Sequence, residues 1–218
     1  MSRREENKEL KREKIIIAAK EIISSQGMDK LTMRYLAEKA QVSSRTPYNL
    51  FESKTDILVA IIVDAVKPFQ LPAINTDKQL LVEQLIQLPA FLKFFLADKH
   101  DFYRDVIWGI MSSDAKLSRD TATQAIASAI SPLVIKVVEH KECTDKINVD
   151  ILSNHLITQL LAIIGMWGGS QLALDEAIAH IQFGWTSILL PNATRKSKTW
   201  LSQAQITFAD NLKDAIAQ

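Results

Sequence analysis

The sequence predicts an all-α protein, on three observations. Its 218 residues hold only six glycines and six prolines, too few for the many turns of a β chain. Apolar residues recur at spacings of three and four along most of the chain, the period of a helix packed on one face. Residues that cap or stop helices stand between those stretches. A hydrophobic content of 47% excludes a disordered chain and supplies core for one large or two small domains.

From Lys8 to Ser25, Ile15, Ile16, Ala19, Ile22 and Ile23 mark an amphipathic helix that Gly27 closes. Thr32 offers a side-chain oxygen to cap a second helix, Met33 to Lys39, with Met33, Leu36, Ala37 and Ala40 on its buried side. After Gln41 and Val42, Ser43 or Ser44 caps a third short helix that runs to about Leu50. Ser53 to Asp56 has the spacing of a capping box, with Asp in place of the usual Glu, and opens a fourth helix that ends before Pro68.

Beyond Pro68 the segments lengthen. Asp77 to Leu88 and Pro89 to Ala97 are expected as two helices divided by Pro89, followed by His100 to Met111. A helix from Ser118 to His140 is expected to break at Ser131 and Pro132. In the helix from Asn148, the residues Val149, Leu152, Leu156, Leu160, Ile163 and Trp167 form one stripe, and Ile157, Leu161 and Ile164 form another. The next helix, Asp175 to Leu190, carries Ile178, Ile181, Trp185 and Ile188 before Pro191 ends it, and a last one runs from about Lys196 to Ala217. Apolar faces this wide need a cover, which a two-fold copy supplies, so Leu152, Leu156, Leu160, Ile163, Trp167, Ile178, Ile181 and Trp185 are the expected homodimer contacts.

Residues 32–51 form a short helix, a tight turn and a second short helix, the order of a helix-turn-helix whose second helix lies in the DNA major groove. That second helix carries Ser44, Arg45, Thr46, Tyr48 and Asn49 over most of its surface, with Val42, Leu50 and Phe51 left to anchor it. Taken singly, Thr32 and Ser43 are ordinary caps, Arg34 and Lys39 ordinary surface, and Tyr48 an ordinary packing residue. Their joint order points to duplex DNA.

The same residues carry a resemblance. The apolar first helix closing at Gly27, Leu31-Thr32, Leu36-Ala37, Val42-Ser43, Thr46-Pro47-Tyr48, Phe51 and Ser53-Lys54 resemble the DNA-binding domain of the TetR (tetracycline repressor) family of bacterial regulators, over roughly residues 9–66. The resemblance implies a DNA-binding domain over residues 1–67 and a larger helical effector-binding and dimerisation domain over residues 68–218. It implies that Thr32, Tyr48 and Lys54 contact phosphates, and that Arg45, Thr46, Asn49 or their neighbours face bases, within a DNA-binding set that also includes Arg34, Ser43 and Ser44. Two positions depart from the family pattern. Gln41 stands where many members have glycine, at a cost of about 1–2 kcal/mol if the backbone is left-handed there. Pro47 stands where leucine is common, in a first turn that tolerates its missing N–H.

Charge supports the division weakly: residues 1–67 hold 13 Lys and Arg against 10 Asp and Glu, in a chain whose net charge is +1. The family likeness also implies an effector cavity among the central helices, where aromatic and thioether side chains concentrate. Phe91, Phe95, Tyr103, Trp108, Met111, His155, Gln159 and Met166 are its expected lining, and the effector is expected to be largely apolar.

No phosphate-binding glycine loop, zinc-protease motif or nucleophile elbow is present in the sequence, so no catalytic residue and no cofactor are expected. His140 and Cys143 make too small a set for a metal. The single cysteine, the charged N-terminus and the shortness of the uninterrupted apolar runs predict a soluble, cytoplasmic chain outside the membrane. The expected function is a homodimeric repressor, bound to a palindromic operator and released by a small molecule. A helical dimeric interaction protein that keeps the fold without DNA binding is the alternative.

Overall fold

The computed structural model describes residues 2–66 and 80–217. Their helices are α1 (Arg3–Gln26), α2 (Met33–Lys39), α3 (Thr46–Leu50), α4 (Lys54–Val66), α5 (Leu81–Asp98), α6 (His100–Met111), α7 (Lys116–Glu139), α8 (Val149–Gly168), α9 (Leu174–Leu189) and α10 (Lys198–Ile216). Among the described residues there is no strand, and one isolated antiparallel bridge joins Cys143 to Ala193. The all-α expectation holds. The expected helix start at Asp77 lies outside the described residues.

Three boundaries differ from the sequence reading. α1 starts at Arg3 rather than Lys8, because Ser2 and Glu5 form a reciprocal capping box, which apolar periodicity does not reveal. α5 and α7 run through Pro89 and Pro132 without a break. Each proline removes one helical N–H, but Leu85, Ile86 and Leu96 of α5, and Ile130, Leu133, Val134 and Val137 of α7, are buried around it. Burying such a row outweighs one missing backbone bond.

The chain divides into two compact units, Met1–Ala65 with Asp101–Ala122, and Val66–His100 with Thr123–Gln218. The first unit therefore includes residues 101–122, which a boundary at residue 67 leaves in the other. Its core is Ile15, Ala19 and Ile22 of α1, Leu36 and Ala37 of α2, Ile57, Leu58 and Ile61 of α4, and Val106 and Ile110 of α6. A Cβ added at Gly109 of α6 would stand 2.7 Å from Leu58 Cδ1, so glycine is what permits α6 to approach α4 so closely. Thr55 and Ser113 hydroxyls meet at 2.9 Å beside that contact.

In the second unit α9 packs against α5, α8 and α10. Leu152, Leu156, Leu160, Trp167, Ile178, Ile181 and Trp185 are buried inside this one chain, and Ile163 is half-buried. All of these expected dimer contacts but Ile163 are therefore core of the single chain. The wide apolar faces arise because α9 is enclosed on several sides by its own chain. The Trp185 indole N–H donates to Leu156 O at 3.0 Å, and the Trp167 indole N–H donates to His100 Nε2 at 3.3 Å. Cys143 is buried, and burial, with the Glu142 carboxylate next in importance, pushes its thiol up to about 11, which makes it a poor nucleophile.

Gln41, Lys141 and Ser170 are the non-glycine residues with positive φ among those described, at 53°, 56° and 57°. All three close a helix in the same way. After α2, Gln41 N–H donates to Glu38 O at 3.0 Å and Val42 N–H to Ala37 O at 3.0 Å. The pairs Lys141 to Val138 with Glu142 to Val137, and Ser170 to Trp167 with Gln171 to Met166, repeat that pattern after α7 and α8. This is the double bond of a Schellman closure, whose left-handed residue is usually glycine. Gln41→Gly relieves the side-chain clash at the cost of backbone entropy, and should raise stability by about 1 kcal/mol in a denaturant titration.

Candidate nucleic-acid interface

The turn set by Gln41 delivers the chain from α2 into α3, whose first residue is Thr46 rather than a residue next to Ser43 or Ser44. Neither serine caps α3 through a backbone N–H. The Ser43 hydroxyl instead meets the Thr46 hydroxyl at 2.8 Å, and Thr46 N–H donates to Ser43 O at 2.9 Å. Pro47 stands in the first turn, where no helical partner is missed. Pro47 and Phe51 are buried, whereas Val42 and Leu50 are half-buried, so proline supplies an anchor that the sequence reading gave to its neighbours.

Ser43, Ser44, Arg45, Tyr48 and Asn49 are exposed, Thr46 is half-buried, and Tyr48 keeps 61% of its surface in solvent. α3 thus presents a hydrophilic side that nothing in the first unit covers. Thr32 caps α2 by accepting from Tyr35 N–H at 3.2 Å, which leaves its own O–H free to donate, and Arg34 stands exposed two residues on.

Lys54 departs from expectation. Its ammonium donates to Met28 O at 2.8 Å, and burial lowers its pKa from the ordinary lysine value, with the Asp29 charge opposing. It sits in a cleft with Gln26, Asp29, Trp108 and Ser112, so only the donors left over from Met28 are available to a phosphate. The helix it opens is capped as the sequence predicted: Ser53 N–H donates to Asp56 Oδ2 at 2.8 Å, and Asp56 N–H to Ser53 Oγ at 3.2 Å.

The residue that sequence reasoning missed is Arg12. Its Nη1 donates to Leu50 O at 3.0 Å, and its guanidinium lies 4.3 Å from the centre of the Phe51 ring. It places a positive charge on the carbonyl end of α3 and clamps that end to α1. No local pattern marks it, because an arginine on the polar side of a long helix looks like any solvated one.

The residues expected around an effector do not gather in one place within either unit. Tyr103 is buried and stacks edge-on against Phe102, with centroids 5.0 Å apart. Trp108 and Met111, on the same helix of the first unit, are substantially exposed. In the second unit Phe91, His155 and Met166 are exposed, and Phe95 is half-buried. Gln159 lies across Gly184, where an added Cβ would collide with its amide, and its Nε2 donates to His180 O at 3.2 Å. Among the described residues no group of three or more His, Cys, Asp or Glu is placed to hold a metal.

One expectation about hydropathy is corrected. The windows Arg119–Glu139 and Val149–Gly168, each of mean hydropathy 1.4, are long and apolar enough to cross a bilayer by length and composition. Counting uninterrupted apolar runs overlooked them because single polar residues punctuate both. In α8 those residues include Asn154 and His155, which are exposed.

Residues 15–61 match the family model described as bacterial regulatory proteins, tetR family. No curated protein matches the sequence. Among solved structures, the chain is similar to Thermus thermophilus FadR, a TetR-family transcriptional repressor in complex with lauroyl-CoA, with a TM-score of 0.71 and 16% identity over 84% of this chain and 96% of that one. It is similar to RolR in complex with resorcinol, with a TM-score of 0.66 and 16% identity over 90% and 94% of the two chains. It also resembles SmeT, the repressor of the Stenotrophomonas maltophilia multidrug efflux pump SmeDEF, with a TM-score of 0.61 and 16% identity over 85% and 92%.

Proposed function

We propose that this chain, a member of the TetR family of bacterial regulatory proteins through its N-terminal domain, is a cytoplasmic homodimeric repressor that a small, largely apolar molecule releases from a palindromic operator. The observation that carries the reading is the exposed hydrophilic side of α3, held on a buried Pro47 and Phe51 and clamped by Arg12. A helix so polar, set after a capped α2 and a regular turn, has the form that enters a major groove. Gln41 and the modest basic charge are the two signs that favour a protein without DNA binding, and Gln41 sits in a regular helix closure that leads α2 into α3.

In this reading Arg45, Thr46 and Asn49 face bases, while Thr32, Arg34, Ser43, Ser44, Tyr48 and the free donors of Lys54 position the backbone. The close packing of α6 on α4 at Gly109 and Leu58 supplies a means of release, because a shift of α6 is felt at the start of the DNA-contacting helices. That the effector is a small molecule follows the resorcinol and lauroyl-CoA complexes of RolR and FadR, and its apolar character rests on the aromatic and thioether side chains of the central helices. For the dimer, the exposed row Ile151, His155, Thr158, Ala162 and Met166 along α8 is the better candidate surface now that the inner row is core.

Selection of bound genomic fragments by the purified protein, repeated with apolar and aromatic ligands, tests this. Enrichment of an inverted-repeat sequence, abolished on ligand addition, is the expected result, and recovery of fragments with no shared sequence overturns it. On the selected site Arg45→Ala should cost about 1–3 kcal/mol and relax preference at the bases it meets, read by fluorescence anisotropy against single-base variants.

A further inference from the structure

The segment that follows α1, the start of α4 and one side of α6 border a cleft of about 570 Å³, built entirely from residues of the first unit. That volume lies in the range of small-molecule sites. Gly27 opens it: its backbone takes φ 85°, and a Cβ added there would meet nothing within 4 Å. The floor is apolar. Met28 and Leu58 meet at Gly109 of α6, where an added Cβ would stand 3.5 Å from Met28 Cε and 2.7 Å from Leu58 Cδ1.

The charges in the cleft are unevenly engaged. Lys54 directs its ammonium to Met28 O at 2.8 Å, and Asp29 is the charge that favours its protonated form. Asp105, half-buried on α6, makes no hydrogen bond or ion pair with any described residue. Trp108 stands one helical turn further on with 49% of its surface exposed, so the carboxylate and the indole are neighbours on the wall of the same cleft. Two carboxylates against one ammonium leave the cleft negative, and that ammonium is held by Met28. The groups left to recognise a ligand are a carboxylate beside an aromatic face, a pair that attracts a cation. A metal ion is a poor match, because no group of three or more His, Cys, Asp or Glu gathers among the described residues and an indole adds no ligand atom.

We propose that this cleft binds a small organic cation, an ammonium group carried on a flat or apolar body. The ammonium bonds the Asp105 carboxylate and lies against Trp108, while the body rests on Met28 and Leu58. The site needs no duplex and draws on no residue of the second unit, so it stands or falls separately from the repressor reading.

The test is calorimetric titration of the full chain with 2-phenylethylammonium, and with 2-phenylethanol and 3-phenylpropionate as neutral and anionic counterparts of similar size. Saturable binding of the ammonium, about tenfold or more tighter than that of either counterpart, is the expected result. Asp105→Asn preserves the shape of a half-buried side chain and should leave the melting temperature unchanged, yet weaken the ammonium about tenfold or more. Trp108→Leu should weaken it about two- to fivefold. Lys54→Gln removes the resident cation and should tighten binding severalfold, a gain that general damage to the fold does not produce. Equal affinity for the ammonium and the alcohol overturns the proposal. Ammonium binding that neither Asp105→Asn nor Trp108→Leu alters also overturns it, because the ligand then sits elsewhere in the chain. Absence of both a binding heat and a rise in melting temperature at millimolar ammonium overturns it as well.

Discussion

Phe51→Ala is expected to cost the first unit about 3–5 kcal/mol and to abolish retention of any selected operator. The ring is 2% exposed and carries the Arg12 guanidinium on its face. α3 spans only Thr46–Leu50, and a helix of one turn has no stability of its own in water. Its direction is therefore set by its anchors, which are Pro47, Phe51 and the Arg12 bond to Leu50 O. Removing the ring opens a cavity and strips Arg12 of its support in the same step. Arg12→Ala alone removes a charge-assisted bond and a half-exposed cation–π interaction, which together are worth about 1–3 kcal/mol. The two substitutions disrupt one shared interaction, so their costs should add to more than the double variant shows. Hydrogen exchange at the Asn49 and Phe51 amides, bonded to Arg45 O and Pro47 O, reads the loosening directly. Protection unchanged in Phe51→Ala would mean that α3 is held by something else.

Those anchors also show what the sequence could reveal and what it could not. Helix starts were legible at Thr32 and at Ser53 with Asp56, which cap a backbone N–H as their spacing predicts, but not at Ser2, whose box with Glu5 lies ahead of the apolar periodicity. The exposed hydrophilic side of α3 was legible as well, since five polar residues so close together leave a short helix little to bury. Arg12 was not, because its bonding partner Leu50 lies 38 residues away and no periodicity encodes a distance of that kind. Pro89 and Pro132 misled because local backbone cost is visible in sequence and tertiary burial is not. The inner stripe of α8 misled in the opposite sense. Periodicity reports that Leu152, Leu156, Leu160 and Trp167 are covered, but it does not distinguish a cover made by the same chain from one made by a copy. The Lys54 ammonium illustrates a further limit, since a lysine at a helix start reads as a surface cation until a carbonyl from another segment is found beneath it.

Glu142→Ala is expected to cost the second unit about 2–3 kcal/mol, the upper range for removing the charged acceptor of a buried N–H. Glu142 is 2% exposed, in the loop after α7. Its Oε2 accepts from Val82 N–H at 2.8 Å, and its Oε1 lies 3.2 Å from Lys196 Nζ. Val82 is the second residue of α5, so its N–H has no helical acceptor, and the carboxylate meets the positive end of that helix. The Glu142 carbonyl is also in use, accepting from Thr194 N–H at 3.1 Å and from the Ser197 hydroxyl. One residue thus ties the end of α7 to the starts of α5 and α10. Lys196 is about half exposed at 49%, so water screens its share, and most of the cost should come from the orphaned Val82 N–H and the emptied site. Glu142→Gln separates the contributions, because its amide oxygen still accepts from Val82 while the charge is gone; a cost of about 1–2 kcal/mol is expected. Lys196→Ala should fall near the glutamine value rather than the alanine value. Urea titrations of the three variants followed by circular dichroism check this order, and an alanine variant no weaker than Lys196→Ala would show that the salt bridge, rather than the helix cap, carries the anchor.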